Sequence, residues 1–211
     1  MRVLMSMALC LFFLESPAVS EDTNGSVGAL PGIHVDVEKG EVRLRAKVCL
    51  SQGILEYVAV SPRGKTYESV FEIEAEPSHV HAALLLLGLE AKTMEKADPA
   101  KEGLMIHVQW QGSEQEEPIE KMLLRRDTRA CPEKISWIFT GSYFEKGEDG
   151  KNHYVADRAR SVIAIWPDQT ALLNPVERSL NPYRGETCGY EVKTDAIKPE
   201  GTEAWLILRR K

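Results

Sequence analysis

Cysteine is scarce: four in 211 residues. No two of them form a C-x-x-C pair, which excludes a thioredoxin-type redox site and a zinc knuckle. Five scattered histidines announce no metal centre. The sequence has no G-x-S-x-G elbow, H-E-x-x-H, Walker loop, G-x-G-x-x-G or EF-hand loop, so the chemistries carried by those spacings are not indicated and no cofactor is expected. Beyond the N-terminus the longest apolar block, Ala82–Leu87, falls far short of the roughly 20 residues a membrane-spanning helix needs. Positive charge is also short. Lys and Arg number 26 against 32 Asp and Glu, for a net charge of -6. A surface of that sign repels phosphate backbones and anionic lipid heads. The densest basic run, Lys121 to Arg129, is interrupted by Met, Leu and Asp. Nucleic acid is therefore not an expected partner.

What is present begins with an export signal. Met1-Arg2 gives a short positive start, Val3 to Leu14 is nearly unbroken apolar, and Ala18-Val19-Ser20 offers small residues where a signal peptidase reads. Residues 1–20 are expected to be removed, which places the mature chain in the periplasm or outside the cell. Cys10 leaves with that segment. An oxidising compartment then permits one disulfide among Cys49, Cys131 and Cys188. Cys49 lies in an apolar strand-like segment and reads as a buried thiol, so the expected bridge is Cys131–Cys188.

Residues 21–32 are polar and Gly-rich and read as a flexible leader, with a single domain over 33–211. His34 to Val37 and Val42 to Val48 alternate in polarity around Glu38-Lys39-Gly40, a hairpin signal. Further strands are expected at Ile54–Val60, Lys65–Ala75, Leu104–Trp110, Ser136–Thr140, Tyr154–Ala156, Ser161–Trp166, Tyr190–Lys193 and Ala204–Leu208. Pro77 opens and Gly88 closes one helix over 77–88, apolar nearly all round and so expected to be buried. Pro118 to Leu124 and Pro167 to Leu173 suggest short helical turns. The connections are too short for repeated βαβ crossovers. These features predict an α+β fold: a largely antiparallel sheet with one buried helix.

In Ser61-Pro62-Arg63-Gly64, Pro at the second position and Gly at the fourth suit a type I turn, here closing a hairpin. If Val60 pairs with Lys65, Glu56 lies opposite Ser69 on an otherwise apolar face, and Tyr57 lies opposite Glu68 on the other face. A buried carboxylate must be paired, hydrogen-bonded or protonated, which singles out Glu56 and its surroundings, Tyr67, Glu68 and Ser69. His79 and His81 flank Val80. On a strand they would share a face and could grip a metal, but on a helix they point about 200° apart. Pro77 and the leucine run favour the helix, so no chelate is expected and His79 is kept as a candidate binding residue.

The same stretches carry a resemblance. Gly53 to Tyr57 (GILEY), Gly64 to Val70 (GKTYESV), Pro77 to Leu89, Trp137 to Ser142 (WIFTGS) and Ser161 to Trp166 (SVIAIW) resemble the bacterial YdjY-type domain, from about Ile33 to Leu208. The family pattern has a histidine before the Glu-Ser pair, where this chain has Tyr67. The resemblance implies an exported protein and assigns no reaction or catalytic residue.

The first expectation is a non-catalytic exported module that binds a small ligand or a protein partner. The alternative is an enzyme using Glu56 and Glu68 as acid and base, with Ser69 or Ser142 nearby. A redox or metal protein lacks the required spacing and ranks last.

Overall fold

The computed structural model describes residues 30–177, 181–185 and 187–211. The expected signal, and all but the end of the leader, lie outside the described residues. In chain order the strands are β1 (Ile33–Asp36), β2 (Glu41–Val48), β3 (Ile54–Leu55), β4 (Tyr57–Val60), β5 (Ser69–Ile73), β6 (Leu104–Trp110), β7 (Glu116–Pro118), β8 (Leu123–Arg125), β9 (Trp137–Phe139), β10 (Phe144–Lys146), β11 (Asn152–Tyr154), β12 (Ser161–Ala164), β13 (Leu173–Pro175), β14 (Tyr190–Val192) and β15 (Glu203–Arg210). The helices are α1 (Pro77–Leu86), α2 (Pro99–Glu102) and α3 (Val155–Ala159).

Eight strands close into a barrel in the order β2-β15-β6-β9-β13-β12-β4-β5, and β5 pairs back onto β2. This corrects the expected α+β sheet with a buried helix: the molecule is mostly β and its main sheet is closed. Closure leaves no long open edge, and one residue makes it possible. One edge of β2 pairs with β1 over Glu41–Leu44 and with β5 over Ala46–Val48. At Arg45 the edge changes hands. Its N–H donates to Gly32 O at 2.8 Å, and its carbonyl accepts from Glu74 N–H at 3.0 Å. The interior is filled by the period-2 sets that the sequence shows: Val42, Leu44, Ala46 and Val48 from β2, Ile106, Val108 and Trp110 from β6, and Ala204, Leu206 and Leu208 from β15. Glu41 is buried at one end of β2, where Arg209 Nε and Nη2 donate to it at 3.1 and 2.5 Å.

The supposed hairpin at Gly64 is a second correction. β4 and β5 run parallel, with Tyr57 opposite Ser69 and Ala59 opposite Phe71. The turn does form, Gly64 N–H donating to Ser61 O at 2.9 Å. A 3-10 turn over Thr66–Glu68 follows. It carries the chain back toward the start of β4, so that Glu56 N–H donates to Glu68 O at 2.9 Å.

Helix α1 packs against β1, β12 and α3. It buries Pro77, Val80, Ala83 and Leu84 and leaves Leu85 50% and Leu86 44% exposed. Its apolar surface is thus only half used, contrary to the expectation of a fully buried helix. Gly88, at φ +75°, ends it with N–H groups of Gly88 and Leu89 donating to Leu85 O and Leu84 O. A 3-10 turn over Ile119–Met122 occupies the expected helical stretch near 118–124, whereas 167–172 is a loop and not a helical turn. Among the described residues no helix is long and apolar enough to cross a membrane.

Candidate functional site

Glu56 sits at the bend between β3, which belongs to a small sheet with β14 and β8, and β4 of the barrel. Its side chain turns inward and the residue is 2% exposed. The ammonium of Lys65 donates to Glu56 Oε2 at 2.6 Å and lies 3.7 Å from Glu68 Oε2. Burial opposes the Lys65 charge, but the hydrogen bond and charge of Glu56 outweigh it and its pKa is raised. Burial, then the adjoining Glu56 carboxyl, pushes the Glu68 carboxyl up from the usual carboxylate range, against the pull of Lys65. Glu56 and Glu68 are therefore not on opposite faces of a hairpin. They meet across one lysine because the strands are parallel.

The other expected residues divide. Ser69 is buried and close by, but its hydroxyl donates to Lys65 O at 2.7 Å, so it fixes the turn. Tyr67 is 67% exposed. His79 is half-buried on the first turn of α1, and no described contact joins it to the carboxyl pair. Cys131 and Cys188 are thiols in this structure, not a bridge. They flank β8 on opposite edges: Arg126 N–H donates to Gly189 O on one side and Arg125 N–H to Ala130 O on the other. Cys49 is a half-buried thiol whose Sγ donates to Ser69 O, and burial pushes its pKa up to about 12.

A larger feature lies beside this cluster. A pocket of ≈ 530 Å³ opens between the segment 93–95, the turn 140–143 and the loop 167–169. Its floor is the outer face of the barrel wall. Leu173 and Phe139 are opposed and face the core, so their neighbours Asn174 and Ile138 face outward. Asn174 fastens the loop to that wall. Its Oδ1 accepts from Asp168 N–H at 2.6 Å, and its Nδ2 donates to Asp168 O at 2.9 Å and to Thr140 Oγ1 at 2.8 Å. The Asp168 carboxylate accepts from Thr170 N–H at 2.8 Å and from the Tyr57 hydroxyl at 2.7 Å. Burial raises the Tyr57 pKa, so this phenol stays a donor. Lys65 Nζ lies over the Tyr57 ring, 5.8 Å from its centroid. One chain of contacts thus runs from Glu56 and Glu68 through Lys65 and Tyr57 to the pocket wall.

The opposite wall is the turn after β9. Gly141 has φ +78°, and a β-carbon there would stand 2.5 Å from Ala91 Cβ; both facts demand glycine. Ser142 follows in the left-handed region, φ +55°, an uncommon conformation for a residue with a side chain. Its hydroxyl is buried without a hydrogen-bond partner among the described residues. Behind this turn the Tyr154 hydroxyl donates to Gly141 O at 2.5 Å and is 2.6 Å from His81 Nδ1. With that phenol proton given to Gly141, His81 Nδ1–H is the donor to Tyr154. Burial lowers the His81 pKa and favours the neutral ring. No group of three or more potential metal ligands occurs among the described residues.

The chain matches the YdjY domain over residues 33–209. It belongs to the YdjY family. No match was found among curated proteins or among solved structures. Of the stretches that resemble YdjY, one lines the pocket and the others stand behind its walls. GILEY supplies Tyr57, and GKTYESV supplies the lysine on its ring. The helix start supplies His81 behind Gly141. WIFTGS supplies Thr140 and Ser142, both on the wall. SVIAIW supplies Ser161, whose hydroxyl lies 3.2 Å from that of Thr170. The pocket's own Asp168 and Asn174 escaped sequence reasoning. The signal available was Pro167-Asp168-Gln169-Thr170, a turn tetrapeptide with an Asx side chain able to bond two residues on.

Proposed function

We propose that this chain is a non-catalytic binding module, acting outside the cytoplasm, that holds a small organic ligand between the Gly141-Ser142 turn and the Asp168 loop. The observation that supports it most is the pocket itself, walled on one side by Thr140 and Ser142 of the YdjY pattern and on the other by the Asp168 loop, which Tyr57 of a second such stretch holds in place. The pocket's volume falls among those of small-molecule sites, roughly 300–1,000 Å³. Its wall mixes hydrogen-bonding side chains with Met94, Pro167 and Tyr143. Export is supported by the layout of Met1 to Ser20, and intact-mass analysis of exported protein should give Glu21 as the first residue.

The test is a thermal-shift screen of a small-molecule library against the wild type and Gln169→Trp. Gln169 is exposed at the pocket rim, so an indole there fills the space at little cost to the fold. Compounds that stabilise the wild type should not stabilise the variant. Equal stabilisation of both would place binding elsewhere.

One observation favours the enzymatic alternative. Glu68 is a partly accessible carboxyl with a raised pKa beside a second carboxyl, as a general acid would be. On that reading Glu68→Gln abolishes turnover of a substrate while leaving pocket binding intact. The shared lysine puts the two carboxyls too close for the water-spaced pair of an inverting glycosidase, which needs about 6.5–9.5 Å.

A further inference from the structure

We infer that the ligand of this pocket is a small organic cation, an amine or quaternary ammonium compound, held by the Asp168 carboxylate and the Tyr143 ring. The inference rests on the pocket being the ligand site, as proposed above. Charge is the first ground. Asp168 contributes a carboxylate to the lining, and none of the described lining residues is a lysine, arginine or histidine. The described hydrogen bonds to the Asp168 carboxylate all come from neutral donors, the Tyr57 hydroxyl and the N–H and hydroxyl of Thr170. They orient the carboxylate without cancelling its charge. Lys65 is bound to Glu56 and stands over the Tyr57 ring. A carboxylate on the wall of a concave, partly apolar site attracts a cation and repels an anion more strongly than it would on open surface.

The ring is the second ground. Tyr143 lines the pocket and is 45% exposed, and an aromatic face beside a carboxylate is a recurrent arrangement for ammonium groups. The third is the Ser142 hydroxyl, buried at the wall with no partner among the described residues. A buried acceptor left unpaired is costly, and the N–H of an amine or the hydroxyl of a choline-like compound would satisfy it. A neutral sugar could meet the hydroxyl but would leave the carboxylate charge uncompensated, and a carboxylate or phosphate ligand would oppose it.

Isothermal titration with three sets of probes tests this: choline, putrescine and agmatine; glucose and glycerol; acetate and citrate. At least one cation should bind the wild type, and more weakly as salt rises. Asp168→Asn should weaken it tenfold or more, and Tyr143→Leu, at an exposed position, several-fold. Gln169→Trp should abolish it. Because Asp168 also anchors its loop, the Tyr143→Leu result and the salt dependence carry the test if Asp168→Asn folds poorly. Binding of a neutral or anionic probe, lost in Gln169→Trp, would overturn the cation while leaving the pocket as the site. Cation binding that survives in Gln169→Trp would overturn both. Failure of all three cations to bind the wild type would overturn the inference.

Discussion

Replacing Lys65 by Met removes the positive charge between two carboxyls and keeps most of the apolar stem. Glu56 is then a buried carboxylate without its 2.6 Å ammonium partner, next to Glu68. Breaking a fully buried pair costs about 3–5 kcal/mol. The Lys65 side chain is 44% exposed, so solvent screens part of the interaction and the expected loss is nearer to about 1–3 kcal/mol. For a domain of this size that is a fall in melting temperature of about 3–10 °C. The loss should shrink as the pH falls and the carboxyls take up protons. It should also shrink in the Glu56→Gln background, where no buried charge is stranded. Thermal unfolding by circular dichroism of the four proteins of this cycle, from acidic to neutral pH, measures all three effects. A loss below about 0.5 kcal/mol, typical of an ordinary surface change, or one independent of pH and of Glu56, would refute the arrangement.

Glu68→Gln should act in the opposite sense. A carboxyl whose folded pKa stands above its ordinary 4.5 binds more protons in the folded state, so stability falls as the pH rises from 4.5 through the raised value. Glu68→Gln should remove that fall and be neutral or stabilising at pH 7; a clear loss of melting temperature there would contradict the raised pKa. Arg209→Met removes the nearer partner of the buried Glu41 and leaves it Arg43 Nη1 at 3.5 Å, so it should cost about 1–3 kcal/mol in chemical denaturation; a change within error would mean that Glu41 does not depend on Arg209. Thiol titration of the native protein should label the exposed Cys131 quickly and Cys49 slowly, since burial and a pKa of about 12 keep it protonated; no labelling of Cys131 without reductant would restore the bridge to Cys188.

Local structure was legible where a residue's conformation depends on its neighbours. Pro77 and Gly88 bound α1 because one suits the first helical turn and the other a left-handed end. The alternation in Glu41–Val48 and Leu104–Trp110 read directly as strands. Barrel closure was not legible, because it depends on β5 returning to β2 across the edge switch at Arg45, a pairing that no local pattern encodes. The same holds at Gly64. The turn was placed correctly but not its type, since Arg63 at φ +70° is the third position of a type II turn and not of a type I turn, and the 3-10 turn over Thr66–Glu68 reverses the outcome from antiparallel to parallel. That reversal brings Glu56 and Glu68 together. The exposed Leu85 and Leu86 show the limit of composition: an all-apolar helix presents no preferred face, so the sequence could not say which half the barrel would cover. The pocket joins segments near residues 94, 141 and 168; Gly141 and Pro167-Asp168 mark turns, but no local signal says that the three meet.

The most direct test of the central claim is amide chemical-shift mapping with a compound selected by the thermal-shift screen. Saturable shifts confined to Thr140, Ser142, Tyr143 and Asp168 to Thr170, with none at the β1–β2 turn of Val37 to Gly40, are the result expected of a ligand in this pocket. Shifts that saturate elsewhere and leave the Asp168 loop unmoved would contradict it.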